Sequence, residues 1–361
     1  MWLERSPRRP WNLGALLLGA APVVVRSGEP QSVRDGTLVR GMTISCQTWG
    51  REWGTDGFVR ELEVLHDLGV NWVAIHPYAG IRGDGSLEWR EMDPANPPEW
   101  LARPIREAHA RGMSILVVTH IAQWGSPWKY RGEIDFADAA ATDRFFADYT
   151  RFISSVAACT PGADGLSVAS ELDRLCKHED RWRAVIASVR AVTTSRLTWA
   201  ASWNCYHDVR FWDALDAIGI QAYFPLSTSE DPGTDELQAA WSPILADLRA
   251  LHERTGKPVV FTELGYNRSL AAAREPWAYA EEHGEAEARA EALQTRCLET
   301  ALRVIEPESS WLRGAILWKW FVGSSRNPNG RHRENFLMSA PALQGVIASV
   351  WSAASGSPRP R

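Results

Sequence analysis

The sequence predicts an α/β fold, a closed (β/α)8 (TIM) barrel, on three observations. Apolar, β-rich runs alternate with segments of helical spacing from Gly41 onward. Eight such runs occur, and no GxGxxG follows the first, as a doubly wound dinucleotide sheet would lead one to expect. The alternation calls for parallel strands joined by right-handed crossovers, and eight units close economically into a barrel. A soft prior of about 150 residues per domain would divide 361 residues into two or three domains. A single barrel also fills that length.

The strands are read, in order, as Met42–Gln47, Val70–His76, Met113–His120, Leu166–Ala169, Leu197–Trp203, Ala217–Tyr223, Pro258–Thr262 and Ala315–Lys319. Between the first two, Asp56–Leu68 sets Phe58, Leu62, Leu65 and Leu68 on one helical face, with Gly69 as the stop. The next helix, Pro98–Arg111, ends at Gly112, and Thr142–Cys159 carries Phe145, Phe146, Tyr149, Phe152 and Ile153. Further helices are expected at Arg181–Val192, Asp208–Leu215, Asp235–Arg254 and Ala286–Ile305. The barrel is bounded at 41–351, and the Ser- and Pro-rich tail 352–361 is expected to fray.

Residues 1–30 differ from the rest. Arg5, Arg8 and Arg9 precede the apolar run Leu13–Val25, followed by no bilayer-length stretch anywhere in the body. This reads as an export signal with a twin-arginine flavour, giving a periplasmic or extracellular protein. The alternative is a disordered tail on a cytoplasmic one. A net charge of −5, with 23% charged and 45% hydrophobic residues, disfavours a nucleic-acid binder and intrinsic disorder. Five cysteines without CxxC spacing argue against a zinc cage or a disulfide framework. Cys176 and Cys205 follow strands four and five on the same face, so export would allow one disulfide between them. No cofactor or metal is expected, and the protein is expected to act as a monomer.

Tryptophan is the anomaly: 19 Trp against 10 Phe and 7 Tyr. Flat rings serve a packed core or a sugar-binding surface. Active sites of such barrels occupy the C-terminal strand ends. There the sequence puts Trp49, His76, His120, Trp124, Glu171, Trp203, Asn204, Tyr223, Glu263 and Trp318. Glu171 and Glu263 each close an apolar strand, where an unpaired buried carboxylate is costly. Across a barrel mouth they form the acid and nucleophile (or base) of glycoside hydrolysis. A rim salt bridge to arginine is the ordinary alternative for each. His76 and His120 can bind sugar hydroxyls, and Trp49, Trp124 and Trp203 can stack on sugar rings. Trp53, Trp128 and Trp277 serve that role or simple packing, while Trp72, Trp182, Trp212 and Trp311 are read as core.

The stretches IGIQAYFPLS, KPVVFTELGYNRS, REPWAY and GAILWKWF, with WLARPIREAHARGMSILVVTHI, resemble glycoside hydrolase family 113 of clan A. The resemblance spans about Gly41 to Trp351. It implies a retaining endo-β-1,4-mannanase, with Glu171 as acid/base and Glu263 as nucleophile. It also implies Tyr223 as the tyrosine that hydrogen-bonds the nucleophile and Trp318 as the floor beneath the reacting sugar. Many clan members carry Asn before the acid/base, in contact with the sugar 2-hydroxyl. Here that position is Ser170, and Asn204, at the end of strand five, is the candidate substitute amide. The implied partner is an oligo- or polysaccharide. Competing readings are another β-glycan (glucan or xylan), an exo-β-mannosidase, or a non-catalytic sugar-binding protein on the same scaffold.

Overall fold

The computed structural model describes residues 37–326 and 335–353. The expected export segment 1–30 and the tail after 353 lie outside them. Among the described residues eleven strands occur in the order β1 (Val39–Ser45), β2 (Trp72–Ile75), β3 (Tyr78–Ile81), β4 (Leu87–Glu88), β5 (Ser114–Val118), β6 (His120–Ala122), β7 (Gly165–Ser170), β8 (Arg196–Ser202), β9 (Ile218–Gln221), β10 (Val259–Leu264) and β11 (Leu312–Phe321). Eight of them close a parallel barrel in the order β1-β2-β5-β7-β8-β9-β10-β11, and β11 pairs back onto β1. The fold is therefore the (β/α)8 barrel that the alternation predicts.

Among the described residues seven α-helices cover it: α1 (Asp56–Asp67), α2 (Glu99–Ala110), α3 (Ala139–Cys159), α4 (Glu179–Arg190), α5 (Thr234–Thr255), α6 (Glu287–Ile305) and α7 (Pro341–Ala353). Most lie within a few residues of their sequence expectation. Asp138 explains the early start of α3, because its carboxylate accepts the N–H groups of Ala140 and Ala141. One expected helix is replaced. Residues Asp208–Leu215 form no α-helix; two single 3₁₀ turns, Tyr206–Asp208 and Trp212–Ala214, connect β8 to β9. Val209, Phe211, Trp212 and Leu215 all bury in that connection, so tertiary packing of the short segment prevails over its helical spacing. In the opposite direction, α7 was not anticipated, although Leu343, Val346, Ile347 and Val350 carry its buried stripe.

A second departure is a three-stranded sheet, β4-β3-β6, built onto the rim beyond β2 and β5. Its hairpin turns at Asp84-Gly85, where Gly85 has φ +85° and a Cβ would meet the Ala141 carbonyl oxygen at 2.3 Å. This sheet carries Tyr78 and His120 to the cleft side.

The tryptophans divide as core and rim. Trp53, Trp182, Trp199, Trp241 and Trp320 are fully buried, which removes Trp53 from the stacking candidates; its Nε1 donates to the Ile44 carbonyl. Trp182, Trp212 and Trp311 are core as expected, but Trp72 is only half-buried, at the N-terminal end of the barrel. All five cysteines are free thiols, so Cys176 and Cys205 form no disulfide; their sulfurs instead donate to the Leu172 carbonyl and the Asn204 amide oxygen.

The C-terminal end of β11 is anchored by one buried carboxylate. Glu61 on α1 accepts from Trp320 Nε1 (2.7 Å), the Gly323 N–H (2.9 Å), the Ser325 N–H (3.1 Å) and the Ser325 hydroxyl (2.8 Å). Glu61→Ala would leave these donors unpaired inside the fold. We expect a loss on the order of 3 kcal/mol, read as a lower urea midpoint at unchanged m-value.

Candidate active site

The C-terminal strand ends surround a cleft of about 610 Å³. Glu171 and Glu263 both line it. Glu263 lies within β10, buried. Glu171 follows β7 directly with φ +52°, a left-handed conformation that a non-glycine residue adopts at a cost. Its N–H donates to the Ala200 carbonyl on β8 at 2.9 Å, which holds that turn against the sheet. The turn aims the carboxyl across the barrel mouth rather than along the strand.

The two carboxyls have different partners. Tyr223, just beyond β9, donates its hydroxyl to Glu263 Oε2 at 2.7 Å. Gln221, completely buried on β9, also steadies the Glu263 carboxylate. Its own amide oxygen accepts from Thr262 (3.0 Å), and its amide nitrogen donates to Ser170 (3.1 Å). The residues immediately before both glutamates are thus tied to one side chain. Ser170, 1% exposed and engaged by Gln221, does not line the cleft, so it offers no surface to a ligand. Glu171 meets Arg131, whose Nε lies 3.6 Å from Glu171 Oε2.

Burial pushes the Glu171 carboxyl up to about 8. Arg131 opposes that shift, while the negative charges of Glu263 and Asp173 reinforce it. Burial raises Glu263 as well, but the Tyr223 hydroxyl, Arg131, Gln221 and Lys319 all favour its ionised form. The surroundings therefore favour a shared proton on Glu171 and the negative charge on Glu263.

The other sequence candidates separate. His120, Trp203, Asn204, Tyr223 and Trp318 line the cleft; Asn204 is exposed on its wall. Tyr223, Trp318 and Phe336 form a small apolar cluster against which Trp203 packs. Trp203 stacks on Trp277 (5.2 Å between ring centroids, 19° between planes), and Trp277 and Tyr279 line the same wall. Asn335 holds that wall in place by donating to the carbonyls of Ala278 and Ala280.

His76 does not reach the cleft. It is completely buried, hydrogen-bonded to Ser45, and stacked beneath His120 at 4.9 Å. Burial and the Lys319 and Arg131 charges push it down to about 3, so it is a neutral packing residue. Burial pushes His120 down as well; neither ring nitrogen has a hydrogen-bond partner in the protein, and Nε2 stands 3.9 Å from Glu263 Oε1. Trp49 and Trp124 also fall outside the cleft lining. They stand on the rim with Tyr78 between them, in edge contacts of 5.9 and 6.2 Å from Trp49. Tyr78 in turn meets the His120 ring at 5.5 Å, so the rim aromatics adjoin the cleft wall. Trp128 packs on Phe136 instead.

Sequence reasoning missed Arg131, Tyr130, Asp173 and Lys129, which complete the polar wall. They sit in loops after β6 and β7 that carry no periodicity, and only the closeness of Asp173 to Glu171 in sequence hinted at one of them. A smaller cavity of about 240 Å³ opens at the other end of the barrel. Its two carboxylates are engaged: Asp164 accepts from His109 and the Ile115 N–H, and Asp216 from Arg190 and the Leu197 N–H. No group of three or more metal-binding side chains occurs among the described residues, and no helix there is long and apolar enough to cross a membrane.

A (β/α)8 barrel with two glutamates facing one cleft from the ends of two strands defines a hydrolase of glycosidic bonds as its chemical class. The chain belongs to glycoside hydrolase family 113, whose family model matches residues 42–340. It is similar in fold to the family 113 β-mannanase AaManA from Alicyclobacillus acidocaldarius, in complex with ManMIm. The TM-score is 0.72 at 23% identity, covering 90% of this chain and 99% of that one. A second family 113 β-1,4-mannanase structure gives a TM-score of 0.72 at 18% identity, covering 88% and 99%. A Ruminococcus gnavus β-glucuronidase gives 0.57 at 15%, covering 87% of this chain and 50% of that one. No curated protein sequence matches the chain.

The raised Glu171 carboxyl has a stability consequence. Between its ordinary value of 4.5 and about 8, the folded state holds a proton that the unfolded state releases, so this residue's contribution falls as pH rises through that window. Glu171→Gln lacks the penalty. Its melting temperature relative to wild type should therefore rise between about pH 5 and about pH 9.

Proposed function

We propose that the chain is a retaining endo-β-1,4-mannanase in which Glu263 attacks the anomeric carbon and Glu171 serves as acid and then base. The observation that carries this reading is the division of labour between the two carboxyls. The Tyr223 hydrogen bond keeps Glu263 an anion in position to attack, and burial keeps a proton on Glu171 for the leaving oxygen. Once Glu263 is esterified its charge is gone, and Glu171 ionises more readily, as a base for the incoming water must. Mannan as substrate is supported by family membership and by the two family 113 neighbours, both β-mannanases.

The walls support a chain running through the cleft. Trp318 offers the floor beside Glu263, and the Trp203–Trp277 pair lies on the β8–β10 side. Trp49, Tyr78 and Trp124 line the facing rim beyond β1, β2 and β5. Aromatic faces on both sides of the acid pair suit internal cleavage. With Ser170 turned away, the unpartnered nitrogens of His120 and the exposed amide of Asn204 are the groups that meet the sugar hydroxyls.

Reducing-sugar release with product sizing on mannan, glucomannan, xylan and mixed-linkage glucan tests the substrate. Mannan and glucomannan should be cut to mixed oligomers; release of monosaccharide alone overturns internal cleavage, and activity only on xylan or glucan overturns mannan. Glu263→Ala should lose at least about 10³-fold in kcat. Glu171→Ala should lose far less on aryl glycosides with good leaving groups than on poor ones. The kcat/KM profile should fall on its basic side near the Glu171 value of about 8, because the free enzyme must carry that proton. Trp203→Ala and Trp277→Ala should raise KM for long mannooligosaccharides several-fold more than for short ones, at about 1–3 kcal/mol per lost ring contact.

A further inference from the structure

We infer that Tyr130 is a positioning residue for both protonation states of Glu171, its single O–H turning between Asp173 and Glu171 as Glu171 gives up and regains its proton. The inference rests on the reading of Glu171 as acid/base.

Tyr130 lines the cleft from the loop after β6. Its hydroxyl donates to Asp173 Oδ2 at 3.1 Å and lies 2.7 Å from the Ser202 hydroxyl. Ser202 in turn stands 2.9 Å from each carboxylate oxygen of Asp173. The same phenol neighbours the Glu171 carboxyl and favours its ionised form. Two hydroxyl hydrogens thus face two carboxyl groups, and counting them fixes what each state can do.

With Glu171 protonated, the acid carries its own hydrogen, and both Tyr130 and Ser202 can donate to Asp173. With Glu171 ionised, it needs a donor. Arg131 Nε, at 3.6 Å, is beyond hydrogen-bond reach and supplies charge alone. Tyr130 turns to Glu171, and Ser202 continues to serve Asp173. The proton balance closes without the phenol: Glu171 passes its proton to the leaving oxygen and recovers one from the attacking water. Tyr130 stays protonated throughout, because burial and the charges of Glu171 and Asp173 push its hydroxyl far up. The groups that face Glu171 are Tyr130 and Arg131 from the loop after β6, Glu263 from β10, Asp173 from its own turn, and Tyr223 beyond β9.

Two substitutions move Glu171 in opposite directions. Tyr130→Phe removes a donor to the ionised form and should raise its titration by about half a unit or more. Asp173→Asn removes a nearby negative charge and should lower it by a similar amount. Two readouts are needed: the basic limb of kcat/KM, and ¹³C NMR titration of the labelled glutamate side chains, assigned with Glu171→Gln. Ser202→Ala, which commits Tyr130 to Asp173, should shift Glu171 up like Tyr130→Phe; if Asp173→Asn fails to fold, upward shifts in both of these variants support the switch, and no shift in Ser202→Ala overturns it. Opposite shifts from Tyr130→Phe and Asp173→Asn support the switch. No shift, or a downward one, in Tyr130→Phe overturns it. The NMR readout needs no turnover: the expected shifts in a protein that hydrolyses no glycan would overturn the glycosidase reading and leave the hydrogen-bond switch standing.

Discussion

Two carboxyl groups buried in one cleft cannot both carry charge cheaply, and much of this molecule is arranged around that fact. In a low-dielectric site, like charges at close range raise each other's proton affinity, so at neutral pH the pair keeps one proton between them. Which glutamate keeps it is decided by neighbours. Glu263 has a phenol, an amide and nearby cations to stabilise its negative charge; Glu171, largely buried, has a second acid, Asp173, beside it and Arg131 as its nearest cation. The asymmetry is a property of the surroundings, since the two side chains are chemically identical.

The scaffold enforces that asymmetry at several levels. Parallel strands deliver both glutamates to the same end of the barrel, and the left-handed backbone at Glu171 turns its carboxyl inward. Gln221 ties Thr262 and Ser170 together, so neither strand end can shift without disturbing the other. Glu61 anchors the far side of β11, the strand that carries Trp318 into the floor of the cleft. Arg131, largely buried beside Glu171, offsets the negative charge of Glu171 and Glu263. Conformational strain and buried charge are tolerated here because the rest of the barrel core is apolar and closely packed.

Much of this was legible in the sequence, for a physical reason. Barrel strands buried on both faces appear as continuous apolar runs, and a charged residue that ends such a run stands out; Glu171 and Glu263 were found that way. What escaped notice lacks such a signature. The helix expected at Asp208–Leu215 fails because Phe211 and Trp212 are drawn into the core, a tertiary preference that outweighs local spacing. The rim sheet had a signal in the Asp84-Gly85 turn, but strands of two to four residues are too short to show alternation. Arg131 and Tyr130 act from a loop, where no period ties residue type to position. Two assignments from strand ends moved. His76 ends a barrel strand yet lies under His120, and Trp49 and Trp124 are displaced from the cleft to the rim by the added sheet.

The central claim is that Glu263, rather than water, first attacks the sugar. A 2-deoxy-2-fluoro-β-mannosyl fluoride reacts through a good leaving group, while its fluorine slows release of the covalent intermediate. Incubation followed by proteolysis and mass mapping reads the outcome directly. The account predicts one sugar per chain, in ester linkage to the peptide that contains Glu263. Turnover of the reagent with no adduct and with inverted product, or an adduct on Glu171, would contradict it.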